Sequence, residues 1–211
     1  MKAIIIEYEG IIIDGKHLVE QKSKQIAAVL KEPWSKEFMD YWKNLFLHLT
    51  EGRITLGEYY SKLAGMVDKP VTGAEDTEFM KGEKLRDKDI PAHIAELRRK
   101  YGARVKLGIL ANYPSRWVEH LLDASNISRN LQAIVCSDKI KVRKPDEEAF
   151  NAILEKLQVR ANECIYVGHN THDLEAANGM GMKVLYLGDL DTHSGQFTTI
   201  ASLLDVQQHV N

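Results

Sequence analysis

Five short apolar runs constrain this chain more than anything else in it: Ala3–Ile6, Val105–Leu110, Ala133–Cys136, Cys164–Val167 and Val184–Leu187. Each is four to six residues long, rich in Ile, Val and Leu, and lacks polar alternation. A strand reads this way when both of its faces are covered, as in a parallel sheet. Helical patterns lie between the later runs. Asp89–Lys100 has Ile90, Ile94 and Leu97 at helical spacing, with basic residues at its end and Gly102 just beyond. Pro114–Ala124 puts Trp117, Val118, Leu121 and Leu122 on one stripe, and Pro145–Leu157 does the same with Phe150, Ile153, Leu154 and Leu157. Strands alternating with helices make βαβ units, and right-handed crossovers wind them into an α/β doubly wound parallel sheet.

The stretch from Lys16 to Arg86 breaks that rhythm. It has no credible strand and four amphipathic segments, near 17–31, 35–49, 55–67 and 74–82, which carry Trp34, Trp42, Tyr59 and Tyr60. An aromatic stripe of this kind reads as the interior of a helical bundle. The predicted organisation is therefore an α/β core from residues 1–15 and 87–211, with a small α-helical cap, 16–86, inserted after the first strand. At 211 residues the chain is long enough for one domain with such an appendage.

Composition narrows the function classes. With 28 basic and 30 acidic residues, the chain has no global bias toward nucleic acid or anionic lipid. No apolar run approaches the ~20 residues of a bilayer span. The cluster Arg98–Arg99–Lys100 reads as a solvated helix end, and Lys139–Lys144 as a basic loop. Cys136 and Cys164 flank apolar runs and read as reduced core thiols. The chain starts directly in an apolar run without a small-residue cleavage site, so a cytoplasmic location is expected.

In open parallel sheets, ligands bind outside the carboxyl ends of the strands. There the first run leads into Glu7–Tyr8–Glu9–Gly10, and the second into Ala111–Asn112–Tyr113–Pro114–Ser115. The third is followed by a basic loop reaching Lys144–Pro145, and the fourth by Gly168–His169–Asn170–Thr171–His172–Asp173. Two carboxylates, an amide, a lysine, a histidine and an aspartate are thus expected in one cleft between core and cap.

This ordered set resembles the haloacid dehalogenase superfamily, in the subclass with a small helical cap after the first strand. The resemblance covers nearly the whole chain. Members carry D-x-D-G where Glu7–Gly10 stands, with a further acid at Asp14, and Ser/Thr-Asn where Ala111–Asn112 stands. They carry Lys-Pro at Lys144–Pro145, and G-D-x-x-x-D followed by Ala and Gly-Met where Gly168–His169, Asp173, Ala176–Ala177 and Gly181–Met182 stand. The stretch from Gly52 to Tyr59 resembles a cap helix-turn of the family's sugar-phosphate phosphatases. The resemblance implies phosphomonoester hydrolysis through an aspartyl-phosphate. The first acid (here Glu7) attacks, and the second (Glu9) is acid and base. The positions of Ala111, Asn112 and Lys144 bind phosphate, and Glu7, Glu9, His169 and Asp173 stand where acids hold Mg²⁺.

The chain keeps only Lys144 and Asp173 of that constellation unchanged. Each glutamate adds a methylene, displacing its carboxylate by about 1–1.5 Å, and a misplacement of that size can cost about a hundredfold in rate. Ala111 lacks the hydroxyl that would donate to phosphate. Imidazole at position 169 suits Mg²⁺ poorly and would favour Mn²⁺, Fe²⁺, Zn²⁺ or Ni²⁺. A structural role for His169, capping the next helix or bonding Glu7, stays open beside metal ligation; His172 reads as exposed surface. The expected function is weak or absent turnover with retained binding of a phosphorylated small molecule, a divalent metal or a protein partner. The alternatives are an active metal-dependent phosphatase using Glu7 and Glu9, or no metal at all. A dehalogenase reading matches Asn170 and Asp173 but lacks the short nucleophile at position 7 and a specific cap arginine.

Overall fold

The structure is a computed structural model and describes residues 1–14, 18–71, 73–188 and 196–210. The predicted boundary between core and cap at residues 15 and 16 lies outside the described residues, as does the expected start of the first cap helix.

The five apolar runs form strands: β1 (Ala3–Glu7), β2 (Lys106–Ala111), β3 (Ala133–Cys136), β4 (Cys164–Gly168) and β5 (Lys183–Leu187). A sixth, β6 (Thr198–Ile200), extends the sheet to the order β3-β2-β1-β4-β5-β6, with every pairing parallel. At three residues, with two threonines, β6 carries too little apolar signal to be read from the sequence. Alternate residues of β1 serve opposite faces. Ile4 and Ile6 join one buried cluster, and Ala3 and Ile5 the other. The first cluster is covered by α5 (Ile90–Tyr101) and α6 (Ser115–Ala124), the second by α8 (Glu147–Leu157) and α9 (Thr171–Gly179). A single turn, α7 (Ser137–Ile140), follows β3.

Among its described residues the insert holds four helices: α1 (Leu18–Leu30), α2 (Lys36–Thr50), α3 (Leu56–Val67) and α4 (Gly73–Lys81). Their starts follow from local chemistry. Ser35 accepts from the Phe38 amide, and Thr55 forms a capping box with Glu58. Trp42 and Tyr59 are interior, as the periodicity predicts, and Tyr60 is partly buried, but Trp34 is exposed on the connection between α1 and α2. Aromatic residues of the insert also interlock with the core. Phe46 of α2 lies 5.4 Å from the ring of Tyr113 and 5.8 Å from that of Trp117, and Tyr59 of α3 is 6.2 Å from Trp117. The first buried cluster therefore runs without a break from the sheet face into the insert.

Buried charge ties the same surfaces. Lys22 of α1 sits 2.5 Å from Glu83 with both side chains under 5% exposed, and its ammonium lies 4.5 Å over the Trp117 ring. Glu83 also accepts from the Tyr113 hydroxyl at 2.9 Å. Asp76 of α4 accepts from Arg116 at 2.8 Å, from the Trp117 indole at 3.3 Å and from the Tyr60 hydroxyl. At the neck, Ile13 bridges Leu85 and the Arg86 amide donates to Ile12. The insert is thus packed and hydrogen-bonded onto the β2–α6 segment that leads into the cleft.

Candidate functional site

Parallel register brings the strand ends level. Glu7 pairs with Leu110, Ala111 with Cys136 and Gly168 with Tyr186, so β1, β2, β3 and β4 all end at one edge of the sheet. Glu7 is the last residue of β1, His169 follows β4 directly, and Asp173 lies in the first turn of α9. Lys144 arrives on the loop between α7 and α8. The expected convergence is present: Lys144 Nζ lies 3.1 Å from Glu7 Oε1, 3.2 Å from Glu9 Oε2 and 3.2 Å from Asp173 Oδ2.

The other Glu7 oxygen is equally engaged. Its Oε2 accepts from the backbone amides of His169 at 2.8 Å and Asn170 at 3.4 Å, and lies 3.2 Å from His169 Nδ1. The carboxylate of Glu7 thus takes the amides of His169 and Asn170 just before α9, while Asn170 Oδ1 accepts from the α9 amides of His172 and Asp173. Gly10 makes room for the imidazole. Its φ is +87°, and a Cβ there would fall 2.1 Å from His169 Nδ1. Of the open readings of His169, the structure shows the hydrogen bond to Glu7.

Charge states follow from these contacts. Burial alone would raise the pKa of Glu7, but Lys144 and the His169 hydrogen bond outweigh it and hold the carboxyl at about 2. Asp173 goes the other way: burial, reinforced by Glu7, lifts it to about 7 against the pull of Lys144. Burial works against the Lys144 ammonium, yet Glu7, Glu9 and Asp173 hold its pKa well above the usual lysine value.

Asn112, expected to meet phosphate, has its amide committed elsewhere. Its Oδ1 accepts from the Lys144 amide at 2.9 Å and its Nδ2 donates to the Lys144 carbonyl at 3.0 Å. Ala111 is buried at the end of β2 and offers no donor. The Tyr8 amide, a further candidate for an oxyanion, bonds to Leu110 O at 3.2 Å. His172 is exposed, as expected. Asp14 lines a separate cavity at the neck.

A cleft of about 290 Å³ stands over these groups. Its outer wall includes Lys43, Phe46 and Leu47 of α2, together with Arg143. Beyond their charge, nothing in the residue pattern marks Lys43 or Arg143 as cleft residues. Trp42 and Tyr59 are not in this wall: they are buried, and hydrogen-bonded to each other at 2.9 Å. Arg53 is exposed and pairs with Glu51 at 2.9 Å.

A divalent ion needs several oxygens or nitrogens aimed at one point about 2.0–2.6 Å away. Here Glu7, Glu9 and Asp173 aim at the Lys144 ammonium, and His169 Nδ1 aims at Glu7. Among the described residues, no three His, Cys, Asp or Glu side chains are grouped to hold a metal. As arranged, these residues do not fit the ion.

A doubly wound parallel sheet with a helical insert after β1, and an acid–lysine cluster at its carboxyl edge, defines a hydrolase-type α/β architecture. The chain belongs to the haloacid dehalogenase-like hydrolases, whose family model matches residues 9–187. It is 23% identical over 199 residues to (S)-2-haloacid dehalogenase 4A of Burkholderia cepacia, covering 88% of this chain and 82% of that one. It is 31% identical over 83 residues to a phosphoglycolate phosphatase of Pseudomonas fluorescens, which is 39% of this chain but only 30% of that relative. In fold it is similar to a HAD family enzyme of Bacteroides thetaiotaomicron, solved in complex with magnesium and inorganic phosphate. That likeness has a TM-score of 0.68 at 17% identity, covering 93% of this chain and 99% of the other. No described helix is long and apolar enough to cross a membrane.

Proposed function

We propose that this chain is a member of the family with little or no turnover, which keeps the cleft between insert and sheet as a binding site for a small phosphorylated molecule. One observation carries the reading: both oxygens of Glu7 are already bonded, one to Lys144 and the other to two backbone amides and His169. A nucleophile must place a free lone pair about 3–3.5 Å from the atom it attacks. Glu7 would have to leave a charged partner and three nitrogens to do so. Its pKa, held at about 2 by Lys144 and the His169 hydrogen bond against burial, keeps it ionised and tied to those partners at neutral pH.

The same argument covers both reactions carried out by the relatives, since each is expected to need the carboxylate at position 7. Lys43 and Arg143, the latter 3.8 Å from Glu51, bring positive charge to the outer cleft that suits an anionic ligand, and its volume of about 290 Å³ suits a small one. The test is hydrolysis of an aryl phosphate with Mg²⁺ first, then Mn²⁺, Co²⁺, Ni²⁺ and Zn²⁺, beside dehalogenation of 2-chloropropionate. Wild type is expected to match Glu7→Gln in every arm. Turnover that Glu7→Gln abolishes overturns the proposal and establishes Glu7 as nucleophile.

A further inference from the structure

The misfit between this donor set and a divalent ion has a specific origin. Position 7 has a glutamate, whose reach lets Oε2 take the His169 and Asn170 amides at 2.8 and 3.4 Å. An ion bound to that oxygen would have to displace those donors, and unmet N–H groups are costly. Position 169 contributes an imidazole instead of a carboxylate, and its Nδ1 is held 3.2 Å from Glu7. The ring packs on the Cα of Gly10 so closely that a methyl group there would overlap it. The remaining carboxylates, Glu9 and Asp173, meet Lys144 at 3.2 Å each. Apart from Glu9 Oε1, which is buried without a hydrogen-bond partner, the carboxylate oxygens named here and the imidazole are matched to neighbours from the chain itself.

We propose that Glu7, held by Lys144 and by the amides of His169 and Asn170, is closed to a divalent cation, so that the site of this chain does not take the metal. The side chains that close it are Glu7 and His169. This rests on the same view of Glu7 as a committed carboxylate, but it makes no claim about turnover. It also predicts which changes reopen the site. Shortening position 7 withdraws the carboxylate from the His169 and Asn170 amides, and an acid at position 169 restores a hard oxygen donor.

The experiment is thermal unfolding of the full chain, stripped with EDTA and then titrated with MgCl₂ or MnCl₂, beside elemental analysis of the purified protein. Wild type is expected to be metal-free and to keep its Tm within about 1 °C. The double variant Glu7→Asp/His169→Asp is expected to gain about 3–6 °C at ten times its Kd, the shift a single bound ion gives a domain of this size. Stoichiometric metal in the purified wild type, or a wild-type shift of several degrees, overturns the inference. So does a folded double variant that shows no shift, because Glu7 and His169 would then not be what closes the site. If the double variant does not fold, His169→Asp alone is read in the same way, with a smaller shift of the same sign expected. Metal-free turnover by the wild type would sink the low-turnover proposal and leave this one standing. A metal-induced shift without turnover would do the reverse.

Discussion

Asn112 grips Lys144 by both polar groups of its backbone, accepting from the amide at 2.9 Å and donating to the carbonyl at 3.0 Å. This clasp joins the end of β2 to the loop before α8 and aims the lysine at the three carboxylates. Removing it leaves two partly buried backbone groups without partners, and each such loss costs about 1–3 kcal/mol. Asn112→Ala should therefore lower the unfolding free energy by roughly 2–4 kcal/mol in urea. An unchanged midpoint would mean the loop is held by other contacts.

The bond between Lys22 and Glu83 predicts a different pattern. Both side chains are almost sealed from water, and burial pulls the Lys22 pKa below its usual value with Glu83 opposing. Breaking a buried pair from one side strands the other charge, at a cost of about 3–5 kcal/mol. Lys22→Met and Glu83→Gln should each destabilise by that order, and the double variant by clearly less than their sum. Strict additivity in denaturant unfolding would show that the pair is not coupled.

Much of the architecture was legible in the residues. Buried parallel strands announce themselves as unbroken apolar runs, so β1 to β5 and the gathering of Glu7, Glu9, Lys144, His169 and Asp173 at their ends followed from pattern and topology. The helices of the insert followed from periodicity, while their caps at Ser35 and Thr55 are a finding of the structure. Other features depend on distances that no pattern encodes. Lys22 reads as an ordinary lysine on an amphipathic helix, and only packing reveals that it is buried against Glu83. The extra methylene of Glu7 was visible, but not that it would carry the carboxylate to the His169 and Asn170 amides rather than crowd the cleft. Asn112 was visible as a polar residue at a strand end, which does not say whether its amide faces a ligand or the chain.

Asp173 gives the site a pH signature. Its pKa rises from 3.8 to about 7 on folding, so the folded chain holds this proton more tightly than the unfolded one. Its contribution to stability is full below about pH 4, falls as pH rises toward 7, and is gone above that. Glu7, at about 2 when folded and 4.5 when unfolded, adds a slope of opposite sign that fades above pH 4.5, at the acid end of this window. Asp173→Asn cannot ionise. Its stability relative to wild type should climb from pH 4 to pH 7 and then level off, as read from urea midpoints across that range. A flat difference would show that Asp173 is ionised throughout in the folded chain.

The departures from the family's acid pattern should be reversible as a set if they are what silences the site. Glu7→Asp frees the carboxylate from the His169 and Asn170 amides, and His169→Asp supplies an oxygen donor. Glu9→Asp shortens the acid/base arm, while Ala111→Ser restores a donor at the end of β2, where loss of one such group costs about 3–4 kcal/mol of transition-state stabilisation. Each single change leaves the other defects in place, and such groups act non-additively. The four together should therefore create Mg²⁺-dependent hydrolysis of an aryl phosphate, while each alone gives none above background. Activity in the quadruple variant that is abolished by Lys144→Met would tie the gained reaction to this cluster. A quadruple variant that folds, binds Mg²⁺ and stays inert would place the block elsewhere, in the insert that Lys22, Asp76 and Glu83 fasten over the cleft.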